Sequence, residues 1–343
     1  MYNPPFRVTA EAKRFIELIN DLLANFTKDV QPVFKPILRK SSRIKSIYSS
    51  CAIEANSLSL DETKDIINGH SVIGPKKDII EIKNAQNAYE FAEKIDPFNE
   101  QNLLEAHRIL TNDLLFDAGQ YRKHNEGVFD GDKCIFVAPP FNKVKDLMKD
   151  LFAWLNEAKY LYTPLIYANV FHYELVFIHP FSDGNGRIAR LWNSLLLATL
   201  SKEFLLIPIE SQIKLNQEDY YKAINISNTQ GESTKFLEFM LKMICLSLKD
   251  VFKEINKIEI NPLLKLLDNM PLNKEMSIEE IKSKMNLKSN YGLRKGYLSK
   301  AIKKGYVKLK FPDKVTSRYQ KYIKVKDYKD LEKLPLKLND INI

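Results

Sequence analysis

Glycine is scarce in this chain, 11 among 343 residues. So few freely turning positions leave no glycine-rich linker or low-complexity tract, and most of the sequence reads with helical period instead. Cysteine is scarcer still. Cys51, Cys134 and Cys245 lie far apart and form no Cys-x-x-Cys pair, which argues against a disulfide framework or a cysteine zinc site and fits a reducing compartment. No run of 18 apolar residues occurs, so a membrane span is not expected. The opening stretch, MYNPPFRVTAEAKRF, lacks the apolar core of a signal peptide. These absences place the expected location in the cytoplasm, with no membrane partner.

Hydrophobic residues make up 45% and charged residues 28%, ordinary for a globular protein with a sizeable core. The net charge of +9 is unevenly placed: residues 261–343 hold 20 Lys and Arg against 9 Asp and Glu, so the first 260 residues are slightly acidic. A basic tail suits an anionic partner, DNA included, or is simply a solvated lysine-rich face.

Helical period dominates the first 255 residues. In AEAKRFIELINDLLANF, Phe15, Ile16, Ile19, Leu22 and Leu23 share a stripe. ILRKSSRIKSIYSSCAIEAN reads as a second helix, and Ser59 with Glu62 has capping-box spacing at the start of a third. AGQYRKHNEGVFDGDKCIFVAPP breaks the pattern with turn formers and a short run ended by Pro139-Pro140, which predicts a small hairpin or extended flap. RLWNSLLLATL is apolar nearly all round and predicts a buried central helix, with Trp154 and Trp192 as core residues. The composition shifts near EINKIEINPL. Beyond it, two short helices and a strand pair joined by a polar wing follow the winged-helix order. The expected fold is mainly α, a helical bundle with a small β-hairpin flap and a C-terminal winged-helix domain. Its expected parts are residues 1–98, 99–255 and 256–343.

The loop FIHPFSDGNGRIAR, residues 177–190, is polar and glycine-hinged between two apolar runs, the mark of a site more than of a core. Gly184 and Gly186 allow a sharp turn that bares backbone N–H groups. A helix opening near Asn185 or Gly186 aims its N-terminus and positive dipole end at the same space. Arg187 and Arg190 share one face of that helix, and their guanidinium forks suit phosphate oxygens. Asp183 offers a hard carboxylate oxygen for Mg²⁺, which binds through one or two carboxylates plus substrate phosphates. His179 accepts a proton near neutral pH without large tuning. Together they suit phosphoryl or nucleotidyl transfer from a nucleoside triphosphate.

HPFSDGNGR followed by Arg190 resembles the signature of the Fic family, His-x-Phe-x-Asp/Glu-Gly-Asn-Gly-Arg-x-x-Arg. AGQYR (118–122), FVAPP (136–140) and YYKAINISN (220–228) resemble, in turn, the family's segment before the flap, the flap, and the stretch that contacts the base. The resemblance covers roughly residues 40–240. It implies an adenylyltransferase that moves AMP from ATP to a Tyr, Thr or Ser hydroxyl of a target protein and releases pyrophosphate. On that resemblance His179 is the general base, Phe181 fixes the loop and Asp183 holds Mg²⁺. Gly184, Asn185 and Gly186 form the anion hole, Arg187 binds the inner phosphates and Arg190 the γ-phosphate. Tyr220 and Asn228 sit near the adenosine, and Ile135, Phe136 and Val137 of the flap pair with the target segment by strand addition. Relatives often form homodimers.

SSCAIEAN (49–56) resembles the family's inhibitory motif, Ser/Thr-x-x-x-Glu-Gly/Asn, with Ser50 and Glu54 on one helix face. The implied brake is a Glu54–Arg190 pair that denies the γ-phosphate its partner. The resemblance also allows Glu54 a second role, positioning water to remove AMP from a modified target, as in some relatives. The motif departs at Ala55, where Gly or Asn is expected, although Asn56 follows. His172 and Glu174 lack metal-ligand spacing and read as helix-packed residues. The rival reading is a winged-helix DNA-binding regulator whose Fic body only senses nucleotide. Transfer of a different phosphate group is disfavoured by the complete Gly184-Asn185-Gly186 run.

Overall fold

Phe15, Ile19, Leu22, Leu23 and Phe26 are buried along one side of the first helix, α1 (Ala10–Asp29), the stripe its 3.6-residue period predicts. Next come α2 (Lys35–Ile53) and α3 (Leu60–Ile67). The start of α3 is set by a capping box, in which the Ser59 hydroxyl accepts from the Glu62 N–H and the Glu62 carboxylate accepts from the Ser59 N–H. α4 (Lys76–Ala92) and α5 (Glu100–Leu110) lead into an antiparallel pair, β1 (Gly127–Asp130) and β2 (Lys133–Val137), with a bulge between Val128 and Phe129. α6 (Phe141–Leu161), α7 (Pro164–Ile178) and α8 (Asn185–Leu197) follow, then α9 (Ile209–Leu215), α10 (Gln217–Gln230) and α11 (Thr234–Asp268).

The computed structural model of the chain describes residues 2–29, 35–130, 133–315 and 317–326. By its internal contacts the chain divides into two units, Met1–Leu248 and Lys249–Ile343. In the first, α7 and α8 are the centre. Twelve of the fifteen α7 residues are buried, because α6 packs on one side and α8 on the other. Thr163 caps α7 and Pro164 occupies its first position, where a missing N–H costs nothing. Trp192 lies wholly inside on α8, and Trp154 is buried on α6. The chain reverses between α7 and α8 through the loop 179–184, so this loop stands where two buried helices end and begin. α2 lies against α9, α4 and α8.

In the second unit, the end of α11 is followed by β3 (Glu275–Ser277), α12 (Ile278–Lys284), α13 (Asn290–Leu293), a π-helical turn over Arg294–Leu298, α14 (Ser299–Lys303), β4 (Val307–Leu309) and β5 (Lys321–Lys324). The three strands form one antiparallel sheet in the order β3-β5-β4. Leu266, Ile281, Leu293, Leu298, Val307 and Tyr322 meet in its core.

The mainly helical class, the flap hairpin and the helix–helix–hairpin order of the tail match the sequence expectation. Two features differ. The compositional change near residue 256 falls inside α11, not in a linker, since the segment 254–267 carries no glycine and its one proline does not end the helix. β3 has three residues, too few for an alternating pattern to announce it. Among the described residues, no helix is long and apolar enough to cross a membrane.

Candidate active site

His179 ends α7 in the left-handed conformation, φ +52°, which turns the chain out of the helix and presents the ring beside the loop. Its Nδ1 lies 3.4 Å from the Val176 carbonyl. A proton on Nδ1 answers that carbonyl and leaves the Nε2 lone pair for chemistry. Burial depresses the His179 pKa from its ordinary value, so the imidazole is neutral at pH 7. At the other end Gly184, φ +82°, caps α8. A side chain there would meet Thr111 and His107, and the left-handed turn itself disfavours any residue but glycine. Asn185 closes the loop upon itself: its amide donates to the Phe181 carbonyl at 2.8 Å and accepts from the Phe181 N–H at 2.9 Å.

The loop rests on α5 and the segment after it. His107 is buried and stacks on Phe181 at 3.6 Å with the rings nearly parallel. Its Nδ1 accepts from the Gly119 N–H at 3.0 Å, so Nε2 carries the proton and donates to the Asp183 carbonyl at 2.9 Å. Burial pushes the His107 pKa down to about 4, which keeps this hydrogen-bond pattern fixed. Arg122, also buried, donates to the carbonyls of His179 (2.7 Å), His124 (2.8 Å) and Pro139 (2.5 Å). One guanidinium thus joins the end of α7 to the foot of the flap. Ser182 donates to Asp117 at 2.9 Å.

Both arginines of α8 are buried and face carboxylates. Arg187 Nη1 lies 3.1 Å from Glu81 and Nη2 lies 3.2 Å from Asp183. Asn56 holds Glu81 in turn, at 2.8 Å. Arg190 Nη2 lies 2.7 Å from Glu54, while Nε donates to the Ser50 hydroxyl (3.0 Å) and Nη2 to the Ser50 carbonyl (2.9 Å). That carbonyl is available because α2 ends there. The Glu54 N–H turns back to Cys51, Asn56 N–H also bonds Cys51, and Ala55 N–H bonds Ala52, the double bond pattern of a Schellman ending, with Ala55 at φ +65° in the left-handed position. Burial works against the Arg190 charge, and Glu54 together with Tyr220 and Tyr89 more than offsets it. Arg187 Nη1 meets Glu81 as an ion pair, whereas two donors, Nε of Arg187 and Nη1 of Arg190, make no hydrogen bond among the described residues. Glu54 stands directly over Gly186: a Cβ there would come within 2.3 Å of its carboxylate oxygen.

One turn back along α2 and one turn on along α8, a second contact repeats the first. Ser46, four residues before Ser50, donates to Glu210 at 2.6 Å; Ser194, four residues after Arg190, donates to the same carboxylate at 3.2 Å; and Tyr89 adds 2.9 Å. The buried Glu210, on α9, is therefore a clamp between α2, α4 and α8.

The remaining expected residues lie further out or further in. Tyr220 is buried behind Arg190, its hydroxyl 3.1 Å from His172 Nε2, and burial raises its pKa to about 12. Asn228 accepts from the Tyr173 hydroxyl at 2.9 Å. His172 is wholly buried with its pKa pushed down to about 3 by burial. Val137 of the flap is 71% exposed; the backbones of Ile135 and Phe136 lie in β2, and their side chains are outside the described residues. Asp183 has a half-exposed carboxylate. Among the described residues no group of three or more His, Cys, Asp or Glu could hold a metal ion. Sequence reasoning missed His107, Arg122, Glu81 and Glu210. His107 left a signal as a polar residue on the buried stripe Leu103, Ala106, Leu110, and Arg122 ends the AGQYR segment without having been given a role.

The chain is similar to known proteins. The Fic/DOC family model matches residues 97–197, and the model of the C-terminal domain of Fic-like (filamentation induced by cAMP) proteins matches residues 259–323. The protein adenylyltransferase fic-1 of Caenorhabditis elegans is 28% identical over 245 residues, 68% of this chain and 46% of the relative. The protein adenylyltransferase Fic of Culex quinquefasciatus is 32% identical over 210 residues, 59% of this chain and 40% of the relative. This chain thus spans less than half the length of these two relatives. A Fic family protein from Desulfovibrio desulfuricans, known from its crystal structure, is 31% identical with a TM-score of 0.69, and the similarity covers 94% of this chain and 98% of that one. With nearly end-to-end coverage at that identity, a shared fold and a family-model match that includes the loop, the chain belongs to the Fic family.

Proposed function

We propose that the chain is a protein adenylyltransferase: it moves AMP from ATP to a hydroxyl side chain of a target protein and is restrained by Glu54. The observation that supports this best is the meeting, in one loop, of a neutral histidine and buried arginine donors that lack hydrogen-bond partners. Buried guanidinium N–H groups left unpaired are costly, and phosphate oxygens are the partners that suit their geometry. The nucleotide's inner phosphates would lie over the start of α8, where Gly184, Asn185 and Gly186 offer N–H groups at a helix N-terminus, beside Arg187. Tyr220 and Asn228 would flank the adenosine end, and Arg190 would bind the γ-phosphate.

In the reaction the target oxygen attacks the α-phosphorus, its proton passes to His179 Nε2, and the bond to the pyrophosphate oxygen breaks. Arg122 and His107 act by holding His179 and the loop in place. Asp183 fits Mg²⁺, because a half-exposed carboxylate beside a phosphate site suits an ion that takes few protein ligands and keeps waters and phosphate oxygens. Bound there, Mg²⁺ would neutralise phosphate charge. The edge of β2 at Ile135, Phe136 and Val137 would receive an extended target segment as an added strand.

Restraint follows from the position of Glu54. Its carboxylate occupies the space above Gly186 and engages Arg190, so a triphosphate would meet a negative charge where its own γ-phosphate should go. The residues 1–98 would carry this brake and 99–255 the transferase body. The rival reading of a body that only senses nucleotide leaves the neutral, positioned His179 without a use. Incubation with ATP and Mg²⁺ followed by intact-mass spectrometry tests the proposal. A gain of one adenylyl group by Glu54→Gly protein or by an added target, lost with His179→Ala, supports it. A nucleotide-bound protein that transfers nothing to itself or to a lysate would sink it.

A further inference from the structure

The C-terminal unit segregates its charge in a way its own packing does not require. Residues 281–312 contain ten lysines and arginines and no aspartate or glutamate. The acids that flank the stretch are Glu275, Glu279 and Glu280 before it, which face Lys310, Lys282 and Lys321, and the exposed Asp313 after it. Like charges gathered on one surface repel each other and weaken the compact state, and they are relieved by a polyanion.

The helix within this stretch, α13 through α14, turns Leu293, Leu298 and Ala301 into the core. Tyr291, Lys295, Ser299 and Lys303, at four-residue spacing, point to solvent, with Tyr291 69% exposed. Two glycines, Gly292 and Gly296, lie in the same helix. Neither has a positive φ. A Cβ at Gly296 would meet nothing within 4 Å, and one at Gly292 would touch only Ser289 at ordinary distance. Glycine weakens a helix relative to alanine, and here no turn and no neighbouring side chain demands it. A π-helical turn at Arg294–Leu298 surrounds Gly296, an irregularity that often marks function. The trimmed, cationic face suits close approach by something outside the chain.

The hairpin that follows is held in one shape. Buried Gln320 accepts from the Phe311 N–H (3.0 Å) and donates to the Phe311 (2.7 Å) and Lys314 (3.2 Å) carbonyls. The turn carries exposed Arg318, stacked on Tyr319 at 4.7 Å.

We propose that this helix and hairpin form a binding face for duplex DNA, with the helix in the major groove and Arg318 on the adjoining backbone. A helix about 10–12 Å across with its side chains fits a groove about 12 Å wide, and Gly292, Gly296 and Ser299 let its backbone come closer to the base edges. Lys295 and Lys303 contact phosphates. A lipid surface would call for an apolar outward stripe, and this face has none.

The test uses the full chain and a fluorescein-labelled, mixed-sequence duplex of about two helical turns. Fluorescence anisotropy should rise saturably at about 50 mM salt and weaken steeply by about 200 mM. Lys295→Ala with Lys303→Ala should weaken binding about tenfold and lower the log–log salt slope by about two. Gly296→Leu leaves the charge unchanged and should weaken binding at least as much, with circular dichroism unaltered. Absence of saturable binding at the lower salt overturns the proposal. So does binding that both variants leave intact, or equal affinity for heparin or an RNA hairpin, which would mark charge alone. The alanine pair, both exposed, decides the matter if Gly296→Leu unfolds. His179→Ala protein should bind DNA like the parent, so this result and the adenylyl-transfer result stand or fall separately.

Discussion

Arg190, buried on α8, and Glu54, at the end of α2, lie 2.7 Å apart across 136 residues of sequence, and Glu54 covers Gly186 as it does so. The carboxylate is about one-third exposed while the guanidinium is not, so the pair opens by moving Glu54. Glu54→Gly should raise auto-adenylylation by about tenfold or more, equivalent to about 1.4 kcal/mol of barrier, read as labelled AMP incorporated from ATP. Equal rates for variant and parent would remove the brake and leave the transfer reaction standing.

Ser46 and Glu210 set where α2 sits. Deleting one of three hydroxyl donors to a buried carboxylate costs about 1 kcal/mol or more, and Ser46→Ala should loosen α2 enough to raise basal activity about fivefold. In a Glu54→Gly background the same change should add nothing, because the brake is already gone. Additive effects in the double variant would show that Ser46 acts on the active site itself.

Ala55 holds a left-handed conformation that costs a side-chain-bearing residue about 1 kcal/mol. Ala55→Gly should raise the thermal midpoint and lower basal transfer, since the ending that carries Glu54 becomes less strained. A drop in the midpoint would mean that the gain in unfolded-chain freedom outweighs the relieved strain.

Arg122 joins three carbonyls, of which His179 and Pro139 belong to the loop and the flap. Arg122→Lys keeps charge but not the fork, so kcat should fall about a hundredfold as His179 loses its place. Nucleotide affinity, read by titration calorimetry, should change little. Loss of both together would indicate general unfolding.

Two pH effects follow from burial. Burial holds the His179 pKa below its ordinary value, so the loss of transfer on acidification should come at lower pH than an ordinary histidine would set. Stability behaves differently. Burial lowers His107 to about 4 and His172 to about 3 from 6.5, so between pH 4.5 and 6.5 the unfolded chain carries two protons that the folded chain does not. Burial raises Glu174 from 4.5 to about 7, its Tyr2 hydrogen bond notwithstanding, so the folded chain carries one extra. The net from these three groups is about one proton, and His179 shifts in the same sense as the two histidines, so stability falls on acidification by about 1.4 kcal/mol per pH unit or more. Glu174→Gln removes the opposing proton, and the slope of denaturant-derived stability against pH should steepen by about a further 1.4 kcal/mol per unit. An unchanged slope would count against a protonated Glu174.

The loop was legible before any fold was known, because its chemistry is contiguous: His179, Asp183, the two glycines, Arg187 and Arg190 fall within twelve residues, and the helix that follows is apolar enough to declare itself buried. Helical period likewise announced α1 and α8, and the Ser-x-x-Glu spacing announced the cap of α3. What the linear order could not hold is everything joined across distance. His107 lies 76 residues from the carbonyl it supports, Arg122 lies 57 from His179, and Ser46 lies 164 from Glu210. A buried polar side chain obtains its partner from whichever backbone or side chain the packing brings within about 3 Å, and that choice is made by the crossing of α2, α5 and α9 over α8. Local chemistry therefore resides in the sequence, whereas its orientation, and the carboxylate set against it, arise only when the helices pack.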